Sequence, residues 1–148
     1  MALVRDRPYS NANFLVDFGD GNAWAASGGF SEVIFPEFVI LSGTRAPRAQ
    51  KPPAESVVER QRTHLILKRG APGALDLYEW WNKARLGKAP KGRLLQVHLL
   101  AEDQRTVVMS WRFTNVRPVA LGYSPLRAAE ASVLVETLEL AFDRMEMR

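Results

Sequence analysis

Apolar and polar residues alternate along most of this chain, and only one segment exchanges that alternation for a helical spacing. Alternation with a period of two describes a strand with one buried face. In Thr106 to Val116, Val107, Met109, Trp111 and Phe113 form one face, and Val108, Ser110, Arg112 and Thr114 form a mostly polar one. Leu94 to Leu100 precedes this run across Glu102-Asp103-Gln104-Arg105, which predicts an antiparallel hairpin. Asn11 to Phe18 places Phe14, Val16 and Phe18 on one side. The turn signal Gly19-Asp20-Gly21-Asn22 and a return strand over Ala23 to Phe35, with a bulge at Gly28-Gly29, predict an N-terminal hairpin. Val57 to Lys68 reads as a further strand, with Val57, Gln61, Thr63, Leu65 and Leu67 facing one way.

The helical segment is Ala74 to Leu86. Leu77, Trp81 and Ala84 follow the i, i+4, i+7 spacing, with Tyr78 and Trp80 broadening the stripe. Asp76 lies in the first turn and Lys83 and Arg85 in the last, matching the helix dipole. Gly87 is the expected stop. Ala128 to Met147 is ambiguous. Its Ala, Glu, Leu and Met favour a helix by propensity, and Leu134, Leu138, Leu140 and Phe142 against Val135, Thr137, Glu139 and Asp143 alternate nearly as well; the residues alone read as a helix. One helix among about six strands implies a small, mainly β (α+β) domain, a sandwich or barrel.

A chain of 148 residues suits a single domain spanning 1–148 and buries roughly two thirds of its unfolded surface. With no cysteine, neither disulfides nor thiolate sites are available. Residues 1–8 lack the apolar region of a secretory signal, and no stretch approaches the ~18 apolar residues of a membrane span. Synthesis in the cytoplasm and no membrane anchoring are therefore expected. The segment from about 36 to 56 holds Pro36, Pro47, Pro52 and Pro53 with Gly43, Arg45, Arg48 and Lys51, and is expected to be an arm or long loop. The net charge of +4 is uneven: Arg45 to Arg93 carries twelve Lys/Arg and four Asp/Glu. Such a segment fits an acidic partner, an acidic region of a neighbouring copy, or a solvated face.

No constellation supports catalysis. His64 and His98 lie 34 residues apart without close partners for a metal. No G-x-S-x-G, P-loop or G-x-G-x-x-G spacing is present. Glu136 and Glu139 fall on opposite faces of an extended strand, which disfavours a paired-carboxylate site. No catalytic residue, cofactor or metal is assigned. Trp80-Trp81 beside basic residues would suit single-strand nucleic acid, but Trp81 at helical spacing reads as core.

Several landmarks recur in a fixed order: Gly29-Phe30-Ser31-Glu32-Val33, Leu65-Ile66-Leu67-Lys68-Arg69-Gly70, Leu77-Tyr78-Glu79-Trp80-Trp81, Trp111 to Val116, and Val135-Glu136-Thr137-Leu138-Glu139-Leu140-Ala141. In that order, over roughly Asp6 to Glu146, the chain resembles the tail-tube proteins of contractile phages and of related contractile injection systems. The resemblance implies two packed antiparallel sheets in a barrel-like sandwich with one flanking helix, similar to the tube protein of type VI secretion. It also turns the ambiguous C-terminal segment into a strand from about Ser132. It implies a homo-oligomer of hexameric rings stacked into a tube, with sheath, baseplate and spike partners and a lumen for DNA or protein cargo. The final location would be an assembled tail or released particle. Gly43, Arg45, Arg48 and Lys51 become the candidate subunit-contact arm, and Phe14, Phe30, Leu67, Trp81, Trp111 and Leu138 the candidate core. The alternatives are a tube-initiator paralogue at the baseplate and, from another class, a basic nucleic-acid-binding module.

Overall fold

The computed structural model describes residues 2–19, 29–40 and 63–148. Among them lie eight strands and one helix: β1 (Phe14–Asp17), β2 (Glu32–Ile34), β3 (Leu65–Gly70), α1 (Asp76–Arg85), β4 (Leu95–Leu100), β5 (Val107–Thr114), β6 (Arg117–Tyr123), β7 (Val135–Ala141) and β8 (Arg144–Met147). Two four-stranded antiparallel sheets form, sheet I in the order β1-β4-β5-β8 and sheet II in the order β2-β3-β7-β6. Their inner faces share one core. Val16, Leu95, Val97 and Phe113 come from sheet I, and Leu65, Leu67, Leu138 and Leu140 from sheet II. Each of these eight is at most 1% exposed, so the two sheets pack as a sandwich. Among the described residues no strand pairs across from one sheet to the other, so the two do not close into a barrel there.

The alternation in β7 explains why propensity loses. Glu136, Leu138 and Leu140 are buried, while Val135, Thr137, Glu139 and Ala141 are only half-buried. A helix would scatter those buried groups around its circumference, whereas an extended chain puts them on one face. The chain then crosses between sheets. Asp143 N–H donates to the Thr114 carbonyl at 3.0 Å, and Phe142 packs edge-on against Phe113 with centroids 5.1 Å apart. β8 thereby joins sheet I.

Helix α1 ends as its sequence requires. Gly87 adopts φ +73°, Gly87 N–H donates to Ala84 and Lys88 N–H donates to Lys83, a Schellman closure. The helix lies beside β6 and inserts Leu77 and Trp80 into the core.

Four expectations need correction. The N-terminal hairpin does not form among the described residues: β1 pairs with β4 and β2 with β3, in different sheets. Trp81 is not core. The helical phase buries Trp80 instead, at 6% exposure, against Phe18, which in turn meets Phe30. The polar face of β5 is partly buried, since Val108 and Ser110 are covered and Val107 is exposed. A register shift at Leu99/Leu100 pairs Leu100 with Val107, and the N-terminal segment runs alongside, Leu3 N–H donating to Val108. Finally, β6 has no counterpart among the expected strands.

Candidate assembly surfaces

Strand margins are the first candidates. An edge strand leaves one row of N–H and C=O groups without ladder partners, a template for another chain. Sheet I ends in β1 and β8, of four residues each, and sheet II in the three-residue β2 and the seven-residue β6. The β6 margin is the most guarded. It carries Pro118, which cannot donate, and a register irregularity between Pro118 and Ala120, and α1 flanks it. The outward face of sheet I is mostly polar, with Leu15 opposite His98 and buried Val108 as apolar members. Asp17, Gln96, His98, Arg112, Thr114 and Glu146 all lie on it, with Gln96 opposite Arg112 and Arg112 opposite Glu146.

On that face His98 Nδ1 is 2.7 Å from Ser110 Oγ, and Nε2 is 3.9 Å from Asp17 Oδ2. Burial pushes the imidazole pKa down, with Asp17 partly opposing it. The serine is buried, and the carboxylate lies beyond hydrogen-bond distance, so the ring bonds β4 to β5 through Ser110 while Asp17 of β1 only lies nearby. His64 faces Glu139 at 3.4 Å on sheet II. Among the described residues, no group of three or more His, Cys, Asp or Glu side chains could hold a metal ion.

A buried ionic knot fixes the helix to the sandwich. Arg69 and Glu136, opposite each other on β3 and β7, are each 2% exposed and bond Nε to Oε1 at 2.7 Å. The same guanidinium reaches Asp76 in the first turn of α1, and its Cζ lies 5.5 Å from the Phe30 ring centroid. Tyr123 from β6 donates to Glu136 Oε2 at 2.6 Å, and this bond, with burial, pushes the phenol up to about 12. Two strands, the edge strand and the helix thus share one network. Nothing in the residue types announced it; the only signal was an Arg and a Glu at buried-phase positions of two strands.

The N-terminal segment is held in a similar way. Arg5 bonds both oxygens of Glu102 at 3.0 and 2.7 Å and lies over the Tyr9 ring at 3.8 Å. A groove of about 320 Å³ opens beside it, between Tyr9, Phe14, Val33, Phe35, Leu99 and Trp111. Phe35 stacks on Trp111 with centroids 4.5 Å apart, and Phe38 and Ile40 continue outward, 59% and 91% exposed.

The candidate residues distribute as follows. Phe30, Leu67 and Leu138 are buried, whereas Phe14 and Trp111 are half-buried against the core. Trp81 lies half-buried on the outer side of α1 under Arg85. Gly43, Arg45, Arg48 and Lys51 lie outside the described residues. No helix among the described residues is long and apolar enough to cross a membrane.

The same fold occurs in solved contractile particles. A chain from the sheath/tube terminator of the extracellular contractile injection system PVC, in its extended state, superposes with a TM-score of 0.70 at 20% identity, covering 98% of this chain and 99% of that one. A chain from the anti-feeding prophage cap, which terminates that tube, gives 0.68 at 22% identity over 100% and 95%. A chain from the PVC sheath-tube complex gives 0.66 at 20% identity over 97% and 93%. Among curated protein sequences none is significantly similar to this chain. The sequence model of the T4-like virus tail tube protein gp19 matches residues 10–146, which include both sheets, the helix and nearly all of β8. This chain belongs to that tail tube family.

Proposed function

We propose that this chain is a structural subunit of the inner tube of a contractile tail or phage-tail-like injection system, working as hexameric rings stacked end to end. The observation that carries this reading is the family match over 10–146 on a sandwich whose outermost strands have no ladder partner on one side among the described residues. The role is architectural rather than catalytic, made in the cytoplasm and completed in an assembled particle with sheath, baseplate and spike.

Sheet I is the sheet that becomes continuous around the ring. Its margins, β1 and β8, are equal in length and lie at opposite ends of the sheet, so β1 of one copy can extend β8 of the next. Such a head-to-tail contact closes into a ring when its rotation divides a full turn. Sheet II is the poorer choice, since Pro118, the irregular register and α1 obstruct its β6 margin. The mostly polar outward face of sheet I then suits a water-filled lumen. The arm at about 36–56, through Gly43, Arg45, Arg48 and Lys51, reaches a neighbouring copy.

Negative-stain electron microscopy of the purified chain tests this. Sixfold rings or tubes are expected. A strictly monomeric protein at high concentration would overturn the proposal, and rings that never elongate would assign the chain to a tube end instead.

A further inference from the structure

The outer side of α1 is built unlike a solvated helix face. Its inward stripe, Leu77 and Trp80, already lies in the core. An ordinary surface helix carries polar groups on the opposite side. Here that side bears Leu75, Tyr78 and Leu86, respectively 62%, 43% and 52% exposed, with Trp81 half-buried among them. The Tyr78 and Trp81 rings lie 6.2 Å apart at 34°, and the Arg85 guanidinium sits 5.6 Å from the indole centroid. Asn82 holds that guanidinium from below, its Oδ1 accepting from Nε at 3.1 Å.

Cations are concentrated on and just after this helix. Lys83, Arg85, Lys88 and Lys91 are exposed, and none forms an ion pair among the described residues. From Trp80 to Ala101 the chain has no Asp or Glu.

Resting on the tube reading, we propose that the outer face of α1 with the loop 86–92 docks an acidic protein segment from a component other than this chain, outside the tube. Trp, Tyr and Arg at the centre of a patch, bordered by leucines, are the residues that dominate protein interfaces. Nucleic acid fits less well: Arg85 already lies over the indole, and Tyr78 leans against it instead of standing clear for a base. The acidic character follows from charge, because Lys83, Arg85, Lys88 and Lys91 outnumber the one exposed carboxylate on this part of the helix, Glu79, and favour an anionic partner. A second copy is a poor match. Residues 41–62 bring five Lys/Arg against two Glu. Several surface carboxylates are already engaged, Glu102 by Arg5, Glu130 by Arg127 and Asp143 by Arg117.

The test places the photo-crosslinker p-benzoylphenylalanine at Leu86 in cells producing the complete particle. The expected adduct joins this chain to a different protein through a peptide with excess Asp and Glu. Its yield falls at least tenfold in the triple variant Lys83→Glu, Lys88→Glu, Lys91→Glu. Purified triple variant still forms tubes as the native chain does. An adduct only with a copy of this chain or with nucleic acid, a yield indifferent to the charge reversal, or no adduct from intact particles would overturn the proposal. So would loss of tubes in the triple variant alone, which would place the patch in the self-interface. Failure of the native chain to form tubes would instead refute the tube reading.

Discussion

Replacing Trp80 by alanine and, separately, Trp81 by alanine gives a sharp contrast between two adjacent residues of the same type. Trp80 is 6% exposed and meets Phe18 edge-on, with centroids 5.8 Å apart at 88°. Arg93 lies 4.3 Å from its centroid. Truncation removes the indole from the closed end of the sandwich, where sheet strands and helix meet and cannot collapse freely. Large-to-small aromatic substitutions of that kind cost about 3–5 kcal/mol. Trp81 is half-buried, outside the core cluster, and contacts Tyr78 and Arg85 at the surface. Its removal should cost about 1 kcal/mol, near the centre of the distribution for point substitutions. For a chain of this size the midpoint then falls by roughly 6–20 °C for Trp80→Ala and about 2–4 °C for Trp81→Ala. Circular dichroism melts and urea titrations measure this, at protein concentrations low enough that the midpoint no longer depends on concentration, since assembly would add its own stabilisation. Equal losses, or a larger loss for Trp81→Ala, would refute the helical phase described above.

Glu136→Gln should destabilise the fold by about 1–3 kcal/mol in urea, because it removes the buried carboxylate from Arg69 and leaves Asp76 as the charged partner named in the knot; no measurable loss would mean that the buried pair adds nothing to stability. Among the tyrosines, one phenol should ionise near pH 12 in an ultraviolet titration and vanish in Tyr123→Phe. Since the folded phenol is raised above its unfolded value of about 10, its contribution is full below that pH and is lost as pH climbs towards 12. Deleting Gly43 to Pro53 should leave the melting midpoint of the dissociated chain nearly unchanged while impairing tube growth; normal tubes would remove the arm from the interface.

Much of the architecture was legible where one physical preference acted alone. The β4–β5 hairpin followed from alternation on both sides of a polar turn. Helix α1 followed from its stripe, charges and Gly87. Elsewhere two preferences competed. Gly19 and its neighbours signalled a reversal, but a reversal does not say which sheet the chain then joins, and β2, the described part of the expected return strand, lies in the sheet opposite β1. Pro118 disguised β6, although a proline at the start of an edge strand loses no ladder bond. The composition of β7 favoured helix, and only the burial of Glu136, Leu138 and Leu140 on one side decides for strand. Trp80 and Trp81 differ by about 100° on a helix, too little for composition to separate when both flank the stripe. The Arg69–Glu136 knot was invisible because each residue, taken singly, looks like solvated charge. The family was legible through the ordered landmarks, whereas the sheet margins required the sheet order.

The central claim is that the margins of sheet I are completed by sibling copies. Hydrogen–deuterium exchange, comparing dissociated chains with assembled tubes, reads it at the backbone amides themselves. Peptides covering β1 and β8 should gain strong protection on assembly, while the interior strands β4 and β5 are already protected in both states. Unchanged exchange at both β1 and β8 in well-formed tubes would contradict the account.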